Sequence, residues 1–275
     1  MPIDRANWGA SPLGKPSVQP ERYDPTVLFP MPRALQREAL GIEGALPFGG
    51  VDFWTAHELA WLDPQGKPQV AQGRFRVSAE SPQIVESKSL KLYLGSFAQE
   101  KLAGSHELRS RIESDLSAAC GVAVQVAVWE DIAGAGIAPL PGESLDEIAI
   151  GTDAYEPEPS FLVAGDQETD ETLRTALFRS RCPVTGQPDY ADVMVRYQGP
   201  RIARPGLLRY LISYRRHPAF HESCVEQIFL DLLQRCRPRC LTVDARFLRR
   251  GGLDINPFRS NFEPPPSENA RTPRQ

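Results

Sequence analysis

The chain has 275 residues, 41% hydrophobic and 24% charged, with a formal net charge of −4. That length admits one large domain or two ordinary ones, and the apolar share suffices for a core without staples. Acidic and basic residues are mixed rather than blocked, which excludes the charge footprint of a nucleic-acid or anionic-membrane binder, and no apolar run approaches the ~18 residues of a membrane helix.

Residues 1–45 are rich in proline and polar side chains and read as an N-terminal arm extended over the surface. The opening, MPIDRANWGASPLGKPSVQPERYDP, has no apolar segment of an export signal. One module is expected over 46–160 and a second over 161–275, with the proline and acid cluster from Tyr155 to Ser160 as the linker.

In the first module, HELAWLDPQGKPQVAQGRFRVSA predicts two strands around the turn DPQGKP. Leu90, Tyr93, Leu94 and Phe97 fall at i, i+3, i+4 and i+7, one stripe of a helix. A second helix follows in SHELRSRIESDLSAACG, with Leu108, Ile112, Leu116 and Ala119 inward, Ser105 as N-cap and Gly121 as stop. GVAVQVAVWE then reads as a strand. In the second module, ADVMVRYQGPRIARPGLLRYLISYR predicts another hairpin, with Ala191, Val193, Val195 and Tyr197 alternating against Asp192, Met194 and Arg196. Val225, Ile228, Phe229 and Leu232 mark a third helix, and LTVDARFL a strand after it. The fold class is α+β.

A weak repeat runs through this pattern. His106-Glu107 and His221-Glu222 each open a helix-then-strand unit, at an offset of 221 − 106 = 115 residues. On this reading only the first half inserts a helix between hairpin and His-Glu, and only the second carries a thiol loop. Halves that keep different parts predict one working site drawn from both.

Five cysteines, odd in number and unevenly spaced, predict reduced thiols in a cytoplasmic setting. Cys236 and Cys240 (CRPRC) lack a second ligand pair at matching spacing, so no metal is expected. Cys182 stands apart, in SRCPVTGQPDYADV. Most cysteines are small buried hydrophobes. Here Pro183, Gly186 and Pro188 keep the thiol off a packed helix or strand face. Asp189 is a poor base for it, because a nearby carboxylate raises a thiol pKa, and makes better sense as a proton donor. The alternative for Asp189 is a turn cap.

Glu222 and Glu86 each sit near a helix start, where capping is the ordinary reading and capture of a base with an N–H edge is the functional one. Lys88 and Lys91 lie in the first turns of a helix, where cations are disfavoured unless an anion is bound. Arg249 and Arg250 precede Gly251 and Gly252, a pattern suited to gripping phosphate. There is no Walker loop and no GxGxxG opening a helix.

In this order, ESKSLKLYLGSF, CPVTGQPDYADV, FHESCVEQIF and RRGGLDINP resemble the signature segments of the NADPH-dependent 7-cyano-7-deazaguanine reductases, in their long two-module form. PLGKPSVQPERYDP and MPRALQRE extend the likeness over nearly the whole chain. The resemblance implies tandem tunnelling-fold (T-fold) modules, antiparallel sheets backed by helices, assembled as a cytoplasmic homodimer. It implies reduction of the nitrile to an aminomethyl group by two NADPH, in queuosine biosynthesis. Cys182 matches the nucleophile and Asp189 the proton donor. Val85, Glu86, Ser87, His221 and Glu222 match the substrate pocket. Ser87, Lys88, Arg250 and Gly251 match the cofactor contacts, and His106-Glu107 becomes the decayed counterpart of His221-Glu222. One rival is a zinc hydrolase of the same fold, like the GTP cyclohydrolases, which needs a third ligand beyond Cys182 and His221. The other is a non-enzymatic purine- or pterin-binding module, which a covalent adduct would distinguish.

Overall fold

The computed structural model of the chain describes residues 14–130, 136–267 and 270–275. Two compact units emerge, one of Met1–Leu46, Asp52–Ala135 and Arg249–Asp254, the other of Pro47–Val51, Gly136–Leu248 and Ile255–Gln275. Residues 155–160, expected as a linker, lie inside the second unit.

In the first unit the alternating run on either side of DPQGKP forms β2 (Gly49–Leu62) and β3 (Pro68–Ser78). Asp63 and Gly66 close the turn, with Asp63 N donating to Lys67 O at 2.9 Å and Gly66 N to Asp63 O at 2.9 Å. β5 (Gln125–Trp129) joins β3 antiparallel, from Gln72 opposite Trp129 to Arg76 opposite Gln125. Two helices follow the hairpin, α2 (Ser87–Gly95) and α3 (Ser105–Cys120). They bury Leu90, Tyr93 and Leu94, with Phe97 just beyond, and Leu108, Ile112, Leu116 and Cys120. Cys120, rather than the half-buried Ala119, completes the second stripe. Gly121 ends α3 in the left-handed conformation, as expected. The start differs by one residue: Gly104 is the N-cap, with no side-chain cap bond, and Glu107 accepts from Ala103 N just before it at 2.9 Å.

The proline-rich arm does not stay extended over its described length. β1 (Pro30–Pro32) pairs antiparallel with β4 (Gln83–Val85), and Arg33–Ala39 forms α1. Two buried arginines fix that helix. Arg33 reaches Asp52 at 2.5 Å and Ser81 at 2.9 Å, and Arg37 donates to Ala79 O at 2.6 Å. Composition reads these residues as a solvated arm because the partners of the arginines lie elsewhere in the sequence. Residues 1–13 of the expected arm fall outside the described part.

In the second unit the strand order is β10 (Leu253–Ser260), β9 (Cys240–Phe247), β8 (Pro188–Ile202), β7 (Ala164–Arg181) and β6 (Glu143–Ser144). Neighbours from β10 to β7 run antiparallel, but β6 joins β7 in parallel, so the pairing is mixed rather than purely antiparallel as expected. Ala191, Val193, Val195 and Tyr197 are buried on one face of β8, as the alternation predicts. The expected hairpin within 191–215 is absent. Pro188–Ile202 is a single strand, and Arg204–Ser213 is a helix, α4, ahead of α5 (His221–Cys236). The hairpin is instead β7–β8, around the thiol loop. Its misplacement has a physical cause. Gly199 and Gly206 read as turn residues, yet both mark close approach: a Cβ at 199 would lie 2.8 Å from Pro238 Cα, and one at 206 would lie 2.2 Å from Phe161 O. Pro205 stands at the helix start, where its missing N–H is harmless.

With α4 in place the two units have one plan, strand–strand–helix–helix–strand. Their polar fastenings also coincide. Tyr93 donates to Asp115 Oδ2 at 2.5 Å and Tyr210 donates to Asp231 Oδ2 at 2.5 Å. Ser96 donates to Tyr93 O at 2.6 Å and Ser213 to Tyr210 O at 2.6 Å. Asp24 N and Glu158 N then donate to Ser96 and Ser213 respectively, each just before a short 3₁₀ turn. Between α3 and α5 the offset is 231 − 115 = 116, and it also aligns Ser105 with His221 and Cys120 with Cys236. His106 therefore aligns with Glu222, not with His221: the expected offset of 115 is short by one residue, because the repeated His-Glu dipeptide is not the structural register. Tyr93→Phe is expected to destabilise the protein by about 1.5–3 kcal/mol, the cost of a buried hydrogen bond to a carboxylate, read by urea unfolding. A loss below about 0.5 kcal/mol would remove Tyr93 from that role.

Candidate active site

The sequence-predicted residues gather in two clusters, one in each unit. In the second unit the β7–β8 hairpin sets the thiol. Ser180 pairs with Asp189 and Arg181 with Pro188, after which the chain leaves the ladder at Cys182. Cys182 N donates to Gln187 O at 2.8 Å, Gly186 N donates to Cys182 O at 3.0 Å, and Gly186 takes φ +68°. This is the bonding of the Asp63 turn, lengthened by one residue. In the first unit the position of Cys182 is held by Asp63, whose Oδ1 accepts from Gln65 N and Lys67 N at 3.0 and 2.9 Å and so fills its own turn. In the second unit a sulfur takes that place, accepting from Thr185 N at 3.5 Å. Cys182 is 7% exposed and Asp189 4%. Because Ser180 lies opposite Asp189 and two residues before Cys182, alternation puts all three on one side of the hairpin.

The same hairpin positions α5. Arg181 N donates to His217 O at 2.9 Å and Ala219 N donates to Arg181 O at 3.1 Å, which leads the chain directly to His221, the first residue of the helix. The His221 ring lies parallel to Phe247, with centroids 3.8 Å apart and planes 3° apart. Its Nε2 is 3.6 Å from Asp189 Oδ2, while its Nδ1 is buried with no hydrogen-bond partner. Glu222, 3% exposed, follows in the first turn, where the helix dipole favours a carboxylate. Thiol, acid, imidazole and second carboxylate thus belong to one unit and two adjoining elements. The Phe247 platform has no signal in the sequence beyond the alternation of its strand.

Burial pushes three of the other thiols up, Cys120 and Cys236 to about 11 and Cys224 to about 12. They stay protonated and unreactive near neutral pH. Among the described residues no three His, Cys, Asp or Glu side chains are disposed to hold a metal ion.

In the first unit Val85 ends β4, Glu86 follows, and Ser87 opens α2. Glu86 is 0% exposed and caps the helix: Lys88 N donates to Oε1 at 2.6 Å and Ser89 N to Oε2 at 2.7 Å. Burial raises its pKa, and these two N–H groups pull it back down, as does the charge of Lys91. The ordinary reading of Glu86 as a cap is therefore realised, and Ser87 Oγ also donates to Oε1 at 3.5 Å. Arg250 and Leu253 exchange backbone hydrogen bonds at 2.9 and 3.4 Å across Gly251 and Gly252, whose φ angles of +59° and +77° suit a tight two-residue turn. A Cβ at Gly251 would lie 3.4 Å from Lys91 Cδ, so the turn packs on the stem of a lysine one turn along from Lys88. Lys91 thus lies beside the side-chain-free backbone at Gly251, with Arg250 the preceding residue of the turn, while Lys88 Nζ donates to Lys15 O. That donor set fits the phosphates of a dinucleotide.

A family profile described as "Nitrile reductase, 7-cyano-7-deazaguanine-reductase N-term" matches residues 19–128, and one described as "QueF-like protein" matches residues 188–266. The chain is 56% identical over 271 residues to the NADPH-dependent 7-cyano-7-deazaguanine reductase of Burkholderia cenocepacia (strain HI2424), covering 96% of this chain and 98% of that one. It is 55% identical over 269 residues to the protein of that name from Burkholderia multivorans (strain ATCC 17616 / 249), with the same coverage. Both likenesses run through the thiol hairpin, the start of α5 and the Arg250–Leu253 turn, and the chain belongs to the NADPH-dependent 7-cyano-7-deazaguanine reductase family.

Proposed function

We propose that this chain reduces the nitrile of 7-cyano-7-deazaguanine to an aminomethyl group with two NADPH, through a thioimide on Cys182, as a step of queuosine biosynthesis. The observation that carries the reading is the hairpin: a thiol on a fixed loop, an acid across the ladder, and an imidazole 3.6 Å from that acid. Cys182 Sγ bonds to the nitrile carbon as one C–N π bond opens, and Asp189 relays the thiol proton to the nitrogen. The C=N bond so formed accepts hydride more readily than the bare nitrile. NADPH, when bound, supplies hydride, one for each two-electron reduction. Each reduction also takes up one proton, which Asp189 delivers at nitrogen, and the C–S bond breaks between the two to return the thiol. His221 holds Asp189 in place. Glu222 and Glu86 accept from the N–H edge of the base, next to Val85 and Ser87. Ser87, Lys88, Arg250 and Gly251 hold the cofactor.

The shared plan of the two units supports tandem T-fold modules, of which the second keeps the reactive loop. Among the described residues no helix is long and apolar enough to cross a membrane. A cytoplasmic homodimer completes the reading. Incubation with 7-cyano-7-deazaguanine in the absence of NADPH tests it. Intact mass under denaturing conditions is expected to rise by the mass of one substrate per chain. No added mass would leave a binding module as the better account.

A further inference from the structure

The Arg250–Leu253 turn is fastened from β2 by one residue that the sequence does not single out. His57 N donates to Gly252 O at 2.8 Å, and His57 Nε2 meets Asp254 Oδ2 at 2.5 Å. Both side chains are buried, and the imidazole Nδ1 has no hydrogen-bond partner. The main-chain bond requires nothing of the side chain at 57. The imidazole adds a second anchor, two residues further along, on the residue that follows the turn. Together they fix both the position of the turn and its rotation about the strand. Two glycines at positive φ give the turn no stiffness of their own, because glycine has the widest conformational freedom of any residue. A buried polar contact contributes little net stability, since desolvation offsets the attraction. Its value here is geometric.

We infer that His57 is a positioning residue for the cofactor: through Asp254 it holds Arg250 and Gly251 against Lys91, and so sets NADPH affinity without touching the reacting atoms. This rests on the assignment of Arg250 and Gly251 to the cofactor. His57→Phe keeps an aromatic ring and removes the bond to Asp254. His57→Gln restores a donor near the place of Nε2.

NADPH is titrated calorimetrically into the full chain and its variants, with hydrogen exchange over 249–254 measured without ligand. His57→Phe is expected to weaken NADPH binding about tenfold, the usual scale for a lost charge-assisted bond, and to speed exchange in the turn. His57→Gln is expected to recover most of both. Turnover at saturating NADPH, and the yield of covalent adduct without NADPH, are expected to stay at the wild-type level in each. Unchanged affinity in His57→Phe, beside weakened binding in Arg250→Ala, would overturn the inference. So would a parallel loss of adduct, which marks a general structural role. If Arg250→Ala leaves NADPH binding unchanged, the cofactor assignment fails, and exchange alone then shows whether His57 holds the turn. Should His57→Phe not fold, Asp254→Asn is expected to give the same split between affinity and adduct, and unaltered affinity there would equally overturn it.

Discussion

Cys182→Ala is expected to abolish the covalent adduct and to lower turnover by more than about a thousandfold, while NADPH and substrate still bind. The expectation follows from what the loop does. Cys182 is fastened by its own N–H and C=O, so the backbone persists when the sulfur is removed. Alanine therefore takes away the nucleophile and little else. Three of the four remaining thiols cannot take over: burial holds Cys120, Cys224 and Cys236 well above neutral pH. Denaturing mass spectrometry and NADPH consumption read the two effects separately. An adduct surviving in Cys182→Ala would place the nucleophile elsewhere. Full turnover without the sulfur would mean that hydride reaches the nitrile directly.

Asp189→Asn has the next largest expected effect, a fall in turnover of about 10²–10⁴, the range for loss of a general acid. The substitution is nearly isosteric. An amide fills the same space beside His221, so the stack on Phe247 and the start of α5 should be kept. The proton at nitrogen is what is lost. Adduct formation is expected to slow and the final adduct mass to stay the same. The thermal midpoint should move by no more than a few degrees. Turnover within about threefold of wild type would return Asp189 to the role of a turn cap on the hairpin.

The two halves of the candidate site were not equally legible. Cys182 and Asp189 were legible as candidates because both lie within eight consecutive residues, and prolines and glycine advertise the turn between them. Glu86 and Glu222 were readable only as helix starts, and for Glu86 the cap is what the hydrogen bonds display. His57 and Phe247 gave no signal, since a histidine and a phenylalanine in alternating strands are ordinary core residues until a partner distant in sequence is known. The error in the second hairpin has the same origin. Gly199 and Gly206 are glycines of close approach, and the backbone they admit belongs to Pro238 and Phe161. Sequence displays the glycine without displaying its neighbour.

What the sequence determined by itself is local: periodic helices, alternating strands, the thiol turn and the order of the motifs, all fixed by side chains within a few residues of one another. What tertiary structure decided is which distant groups meet. It drew Arg33 and Arg37 into the core to fold part of the arm, moved the repeat register to 116, and set His221 on Phe247 beside Asp189. These are contacts between residues far apart in the chain. Their strength depends on burial and geometry, and neither has a counterpart in linear spacing.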